Sequence, residues 1–352
     1  MKADSGGVEL SGEQETRTIA MVGFEGIQML DVTGPLEVFS RASRLLLECG
    51  RATVQPYRVV FAAREAGPVE TSSGLALMAQ CALRDLGFAD TVLVSGGMGT
   101  NAALEDAELV HWIGEHLPRA RRYGAVCTGG LLLARAGLLE GRRVTTHWAF
   151  LRSLAELAPS ARVEQDAIFV RDGRLWTSAG VTAGMDMALA MVEEDWGRKL
   201  SLDVAQQLVM HLKRAGGSSQ VSASLAAQAR AVDGRFRQLA AWVGENLAGE
   251  LSIRSMAAQA GMSARHFARC FSEEIGMTPA KYVERVRFEA AQQLLAQTDA
   301  TVERVAESCG FGSAETLRRV FLRRTGLGPA AYRLRARRAT SHGEAPQAAK
   351  GL

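Results

Sequence analysis

Cys127 sits in GAVCTGGLLLA, residues 124 to 134, between a short apolar run and two glycines that open a helical pattern. A strand that ends at a nucleophile on a tight turn into a helix places the thiol at the positive end of the helix dipole, which favours thiolate. Glycines permit the turn, and the amides of Thr128 and of Gly97, in VSGGMG, are candidate donors to an oxyanion. Asp31, in QMLDVTGPLEVF, and His147, in VTTHWAF, lie just beyond other candidate strands. Three readings of Cys127 stand side by side. As a catalyst it would hydrate or hydrolyse a small substrate, with Asp31 moving protons. As a sensor it would line an effector pocket or be oxidised. As a buried small hydrophobe it would only pack. His147, next to Trp148, reads equally as a pocket group and as a structural hydrogen-bonder.

A second set of residues suits a different chemistry. Residues 257 to 282, AAQAGMSARHFARCFSEEIGMTPAKY, align with 306 to 332, AESCGFGSAETLRRVFLRRTGLGPAAY, once Gly312 is set aside, and ten of the 26 aligned positions are identical. So many matches around glycine and proline imply one supersecondary unit used twice. Each copy reads as helix, glycine turn, helix, with Ser263 and Ser313 as caps of the following helices. Phe267, Cys270 and Phe271 fall at i, i+3 and i+4 and pack inward, leaving Arg265, Ala268 and Arg269 outside; Leu317, Val320 and Phe321 repeat this, leaving Glu315, Thr316 and Arg319 outside. Two such helices suit successive major grooves, where arginine meets guanine edges. Arg287, Arg318, Arg323 and Arg324 suit phosphates, which position a protein without reading sequence. A helical interaction module with merely solvated arginines is the alternative.

The elements that must position these residues differ along the chain. Strand-like runs at 17 to 24, 57 to 63, 91 to 97, 123 to 127 and 142 to 147 alternate with helical patterns, among them one from Gly34. That rhythm predicts a largely parallel sheet between helices, a flavodoxin-like α/β sandwich, interrupted by a hairpin at Asp172-Gly173. The small, polar KRAGGSSQVSAS, from Lys213, marks an interdomain linker. The expected units are therefore 16–212, a linker over 213–232, and an all-α unit over 233–335 with two helix-turn-helix motifs; Thr278-Pro279 opens the long helix between the motifs.

Charge divides the same way. Residues 1 to 250 hold 25 Lys and Arg against 29 Asp and Glu, whereas residues 251 to 338 hold 15 against 8. A basic module on a mildly acidic one points to a polyanion partner for the former, unless that face is simply solvated. Five scattered cysteines without CxxC pairing argue against a disulfide framework or structural zinc, and fit a reducing cytoplasm. No cofactor or metal is expected. Nor is a membrane: no run of eighteen apolar residues occurs, and residues 1 to 16 lack the basic start and apolar stretch of a secretion signal.

Two resemblances follow. The stretch from about Phe236 to Arg333 resembles the AraC/XylS family of transcriptional regulators, in MAAQAGMSARHFARCF, GMTPAKYVERVRFEAAQQLL and ESCGFGSAETLRRVFLRRTGLGPAAYR. By matching position it implies base-reading residues Arg265, Ala268 and Arg269, then Ala314, Glu315, Thr316 and Arg319. Residues from about Thr16 to Asp195 resemble the PfpI-type branch of the class I glutamine amidotransferase-like superfamily, in DVTGP, VSGGMG, AVCTGGLLLARAGLL, VTTHW and SAGVTAGMD. That resemblance implies Cys127 as the elbow cysteine, Asp31 as its acidic partner from the first strand's loop, and Gly97 and Thr128 as oxyanion donors. Asp31 stands where many enzymes of the superfamily have glutamate; the isocyanide-hydrating branch also has aspartate there and shares the Cys-Thr-Gly elbow. The pairing is similar to the GlxA-like regulators and implies double-stranded DNA, a small, nitrogen-containing effector and RNA polymerase as partners of a homodimer. An attached DNA reader favours sensing over catalysis, because rapid turnover would discharge the signal. The alternatives are a cysteine-dependent hydratase or amidase, and a thiol redox regulator.

Overall fold

The computed structural model describes residues 15–210, 213–231 and 234–341. Residues 1–14, on which most of the reading of the chain's start rests, lie outside them. The first unit opens with β1 (Arg17–Val22), α1 (Met29–Glu48), β2 (Tyr57–Ala63), the hairpin of β3 (Gly67–Glu70) and β4 (Ala76–Ala79), and β5 (Cys81–Ala82). It continues with β6 (Thr91–Val94), α2 (Thr100–Glu105), α3 (Ala107–His116), β7 (Arg122–Val126) and α4 (Gly129–Arg135). Then come β8 (Arg143–Val144), α5 (Leu151–Leu157), β9 (Arg162–Val163), β10 (Phe169–Asp172), β11 (Leu175–Ser178), α6 (Thr182–Trp196) and α7 (Arg198–Gln207). The main sheet has the order β10-β11-β7-β6-β1-β2-β5, and only β10 runs antiparallel to its neighbour. Its central strands are buried on both faces, as parallel strands between helices must be.

Three elements depart from the pattern reading. The run from Arg142 to His147 gives only the two residues of β8, which pairs with β9 outside the main sheet. α1 begins at Met29, not Gly34, so Asp31 lies in its first turn and Pro35 inside it. Packing explains that: a Cβ on Gly34 would stand 2.9 Å from Met185, and one on Gly184 would stand 3.2 Å from Pro35, so α1 and α6 meet through small residues that propensity reads as a break. The β3–β4 hairpin carries too little alternation to be predicted. The Asp172-Gly173 turn is as expected, with Gly173 at φ 62°.

The second unit is helical: α8 (Ala223–Arg230), α9 (Gly234–Glu245), α10 (Ile253–Gln259), α11 (Ala264–Ile275), α12 (Pro279–Gln297), α13 (Val302–Ser308), α14 (Ala314–Thr325) and α15 (Pro329–Ser341). α10–α11 and α13–α14 are the twin helix-turn-helix units. Gly276 and Gly326 end the second helix of each in the left-handed conformation. Phe267 and Phe271 form one aromatic core with Phe236 and Tyr282, while Phe321 forms another with Phe288 and Tyr332. α12 supplies residues to both cores and so holds the units in fixed relation. Ser313 caps α14 by accepting from the Thr316 amide, whereas Ser263 makes no side-chain cap on α11.

Stretch 213–222 is no loose tether. Gly216 and Ser218 accept from the Ile168 amide, and Ser219 bridges to Ala167, so the segment lies along the β10 edge. Gly216 is required there, because a Cβ would approach the Phe169 carbonyl oxygen to 2.6 Å.

Candidate functional site

Cys127 occupies the turn between β7 and α4 with φ 57°, in the left-handed region where a non-glycine residue is strained. Its amide donates to the Ser178 carbonyl, and its own carbonyl accepts from the Thr146 hydroxyl at 2.7 Å. Gly180 closes the thiol's other side: a Cβ there would lie 2.3 Å from Cys127 Cβ and 2.8 Å from Sγ. Asp31 is wholly buried against the thiol, and its Oδ1 accepts from the Val181 amide at 2.6 Å. Val181 is itself a β-branched residue at φ 52°. Two strained backbones thus meet one buried carboxylate, and such strain persists only where surroundings enforce it.

Electrostatics here run against the expected thiolate. Burial, and then the charge of Asp31, push the Cys127 thiol up to about 12, and the Thr128 amide only partly offsets this. Burial raises Asp31 to about 6, against hydrogen bonds from Val181, Cys127 and Gly96 that lower it. α4 is only seven residues long, and its dipole does not outweigh desolvation. Near pH 7.5 the pair is therefore a neutral thiol beside an ionised carboxylate.

The expected oxyanion donors are not both free. The Gly97 amide already donates to Thr128 Oγ1 at 3.0 Å, and that hydroxyl also bonds Thr100 Oγ1 at 2.7 Å. The Thr128 amide alone faces the thiol. His147 caps the turn Trp148–Phe150 by accepting from the Ala149 amide, and burial lowers its pKa. The sequence reading missed Gly180, Val181 and Thr146; the glycine-valine pair one residue after β11 was the available signal for the first two.

The elbow is bonded to the segment that leaves the domain. Gln220 Nε2 donates to the carbonyls of Thr146 and Ala167, and Thr146 in turn holds Cys127. From α6, which starts beside Val181, the fully buried Asp186 takes the backbone amide and the guanidinium of Arg214 at 2.7 and 2.8 Å, and Glu193 pairs with Lys213. α12 grips the same segment through Gln292 to the Gly217 carbonyl and Arg285 to the Val221 carbonyl.

On the twin units Arg265, Arg269, Glu315 and Arg319 are exposed, while Ala268, Ala314 and Thr316 are half-buried. Among the described residues Arg265 and Arg319 pair with no acid, and Arg269 bonds the His266 ring at 3.4 Å. Arg318 pairs with Glu315, and Arg323 and Arg324 pair with Glu284. Arg287 departs from its expected phosphate role. It is half-buried and donates to the carbonyls of Leu247 and Gly249, which binds α12 to the end of α9.

No helix among the described residues is long and apolar enough to cross a membrane, and none of their His, Cys, Asp and Glu side chains form a group of three that could hold a metal. An α/β domain with a strained cysteine elbow joined to twin helix-turn-helix units defines a class of DNA-binding regulators. The DJ-1/PfpI family model matches residues 17–194, and a helix-turn-helix domain model matches 256–335. The chain belongs to the DJ-1/PfpI family, and it carries a helix-turn-helix module of the AraC type. It is similar to the HTH-type transcriptional regulator GlxA of Rhizobium meliloti, at 29% identity over 93% of this chain and 99% of that one. It is 34% identical to the HTH-type transcriptional regulator Rv1931c of Mycobacterium tuberculosis, over 69% of this chain and 94% of the other. Isonitrile hydratase of Pseudomonas putida is 34% identical over 56% of this chain and 78% of its own length.

Proposed function

We propose that the chain is an effector-controlled transcriptional regulator in which a small, nitrogen-containing metabolite binds beside Cys127 and Asp31 and changes how the twin units hold DNA. Its domains are 16–212 for sensing and 233–335 for DNA, with 213–232 between them. The observation that carries this is the double anchoring of 213–220: one set of bonds runs to the elbow through Thr146 and α6, the other to α12. A ligand with different affinities for two arrangements of that segment shifts DNA binding by the same free energy, about 1 to 3 kcal/mol. Arg265, Arg269, Glu315, Thr316 and Arg319 face the base edges, and Arg318, Arg323 and Arg324 the phosphates. Paired sites call for a homodimer. RNA polymerase is the downstream partner, in the cytoplasm.

The test is to select duplexes from a random pool with the full chain, then to titrate them with and without metabolites that raise its melting temperature. A compound that does both is expected to shift affinity roughly five- to 150-fold. Stabilising compounds that leave DNA affinity unchanged would contradict the reading.

A second reading has its own support. A neutral thiol beside an ionised carboxylate is the protonation that general-base attack needs, and the chain is 34% identical to an isonitrile hydratase over 56% of its length. Turnover of an isocyanide, lost in Cys127→Ala while duplex binding persists, would favour it. A thiol redox switch fits less well, because the thiol is buried and held protonated.

A further inference from the structure

We propose that Glu315 is a specificity determinant that selects a cytosine, so that the two recognition helices read opposite base edges from one shared position. This rests on the DNA-binding reading above. In the internal repeat Glu315 aligns with Arg265, and Arg319 with Arg269. α11 and α14 are both twelve residues long and stand in matching aromatic cores on the same spine, α12. One position on one frame therefore presents a guanidinium in the first unit and a carboxylate in the second, and both are exposed.

A carboxylate facing DNA is repelled by phosphates, so it is useful only where the groove offers a donor. In the major groove guanine offers two acceptors and thymine one acceptor and a methyl group. Adenine offers a donor beside an acceptor, and cytosine alone offers a donor without one. An ionised Glu315 therefore matches cytosine, while Arg265 matches guanine. Neighbouring side chains favour the carboxylate. Arg318 Nε holds Oε2 at 3.0 Å one turn along, which offsets its charge near the backbone. The Thr316 hydroxyl is engaged with Ser313, and among the described residues Arg319 pairs with no acid, so Glu315 is the carboxylate that this face offers.

The experiment uses the full chain. Duplexes selected from a random pool by the wild type are changed one base pair at a time, and affinities are measured by fluorescence anisotropy at fixed salt. The wild type should prefer C·G at one position by roughly tenfold. In Glu315→Gln that preference should move to A·T, because an amide pairs with adenine's donor and acceptor edge, while the guanine preference of the other half-site stays. Arg265→Ala should do the converse, losing the guanine and keeping the cytosine. Glu315 is exposed, so an unchanged melting temperature confirms a folded variant. Glu315→Gln that keeps the C·G preference, or that loses every preference together, overturns the assignment while leaving DNA binding intact. A wild type that prefers no duplex overturns the DNA-binding reading itself, and this inference with it.

Discussion

The elbow at Cys127 and the two recognition helices place their functional groups by opposite means. At the elbow the polar groups are buried and the backbone is strained: Cys127 and Val181 both have positive φ, and Asp31 is wholly enclosed. On α11 and α14 the polar groups are exposed, the backbone is regular helix, and the apolar face alone secures the fold. Substitutions at the first site should therefore register as stability and, through 213–220, as a change in overall DNA affinity, and at the second as selectivity with the fold unchanged.

Gly180→Ala is the strongest challenge to that contrast. Its Cβ would fall 2.3 Å from Cys127 Cβ at a residue with φ 90°, so overpacking and backbone strain together should cost about 4 kcal/mol, read by thermal or denaturant melting. An unaltered melt would mean the elbow is slack. Asp31→Asn should act the other way. Its folded pKa, raised to about 6 from 3.8, means the neutral acid is the form the fold prefers. Its contribution is full below about pH 3.8 and is lost as pH rises through about 6. The amide, neutral throughout, should stabilise the chain by about 2 to 3 kcal/mol at pH 7.5, and the gain should vanish by pH 4. A gain that did not depend on pH would place its cause elsewhere.

Arg319→Ala tests the second region. Discrimination between the best duplex and its single-pair variants should fall by about 1 to 3 kcal/mol, while the melt moves by less than about 0.5. Arg287→Ala sharpens the boundary between the regions. Loss of its bonds to the Leu247 and Gly249 carbonyls should cost about 1 kcal/mol of stability and leave the slope of affinity against salt unchanged. A shallower slope would restore Arg287 to the phosphates.

How far each region was legible in the sequence follows from the same contrast. The twin units could be read almost residue by residue, because inward and outward positions follow a 3.6-residue period and glycine and proline mark the turns. Phe267, Phe271, Leu317 and Phe321 are buried as that period requires. The elbow was legible in its cysteine and glycines but not in its electrostatics. Nothing in CTGG says that desolvation would hold the thiol neutral, or that the Gly97 amide would be taken by the Thr128 hydroxyl. The polar segment from Lys213 reads as flexible by composition. Its fixed course depends on the buried Asp186 and the half-buried Glu193, about twenty residues or more upstream, which no local pattern can reveal.

The account turns on the elbow being felt at the DNA face, and Asp31→Asn probes that most directly, since it alters the pocket while the fold should gain stability. Anisotropy titration of one selected duplex with wild type and variant, each with and without a metabolite that stabilises the wild type, at equal salt and pH 7.5, should show that metabolite shifting the wild type's dissociation constant roughly five- to 150-fold and the variant's much less. Superimposable isotherms would contradict the coupling and leave two independent domains on one chain.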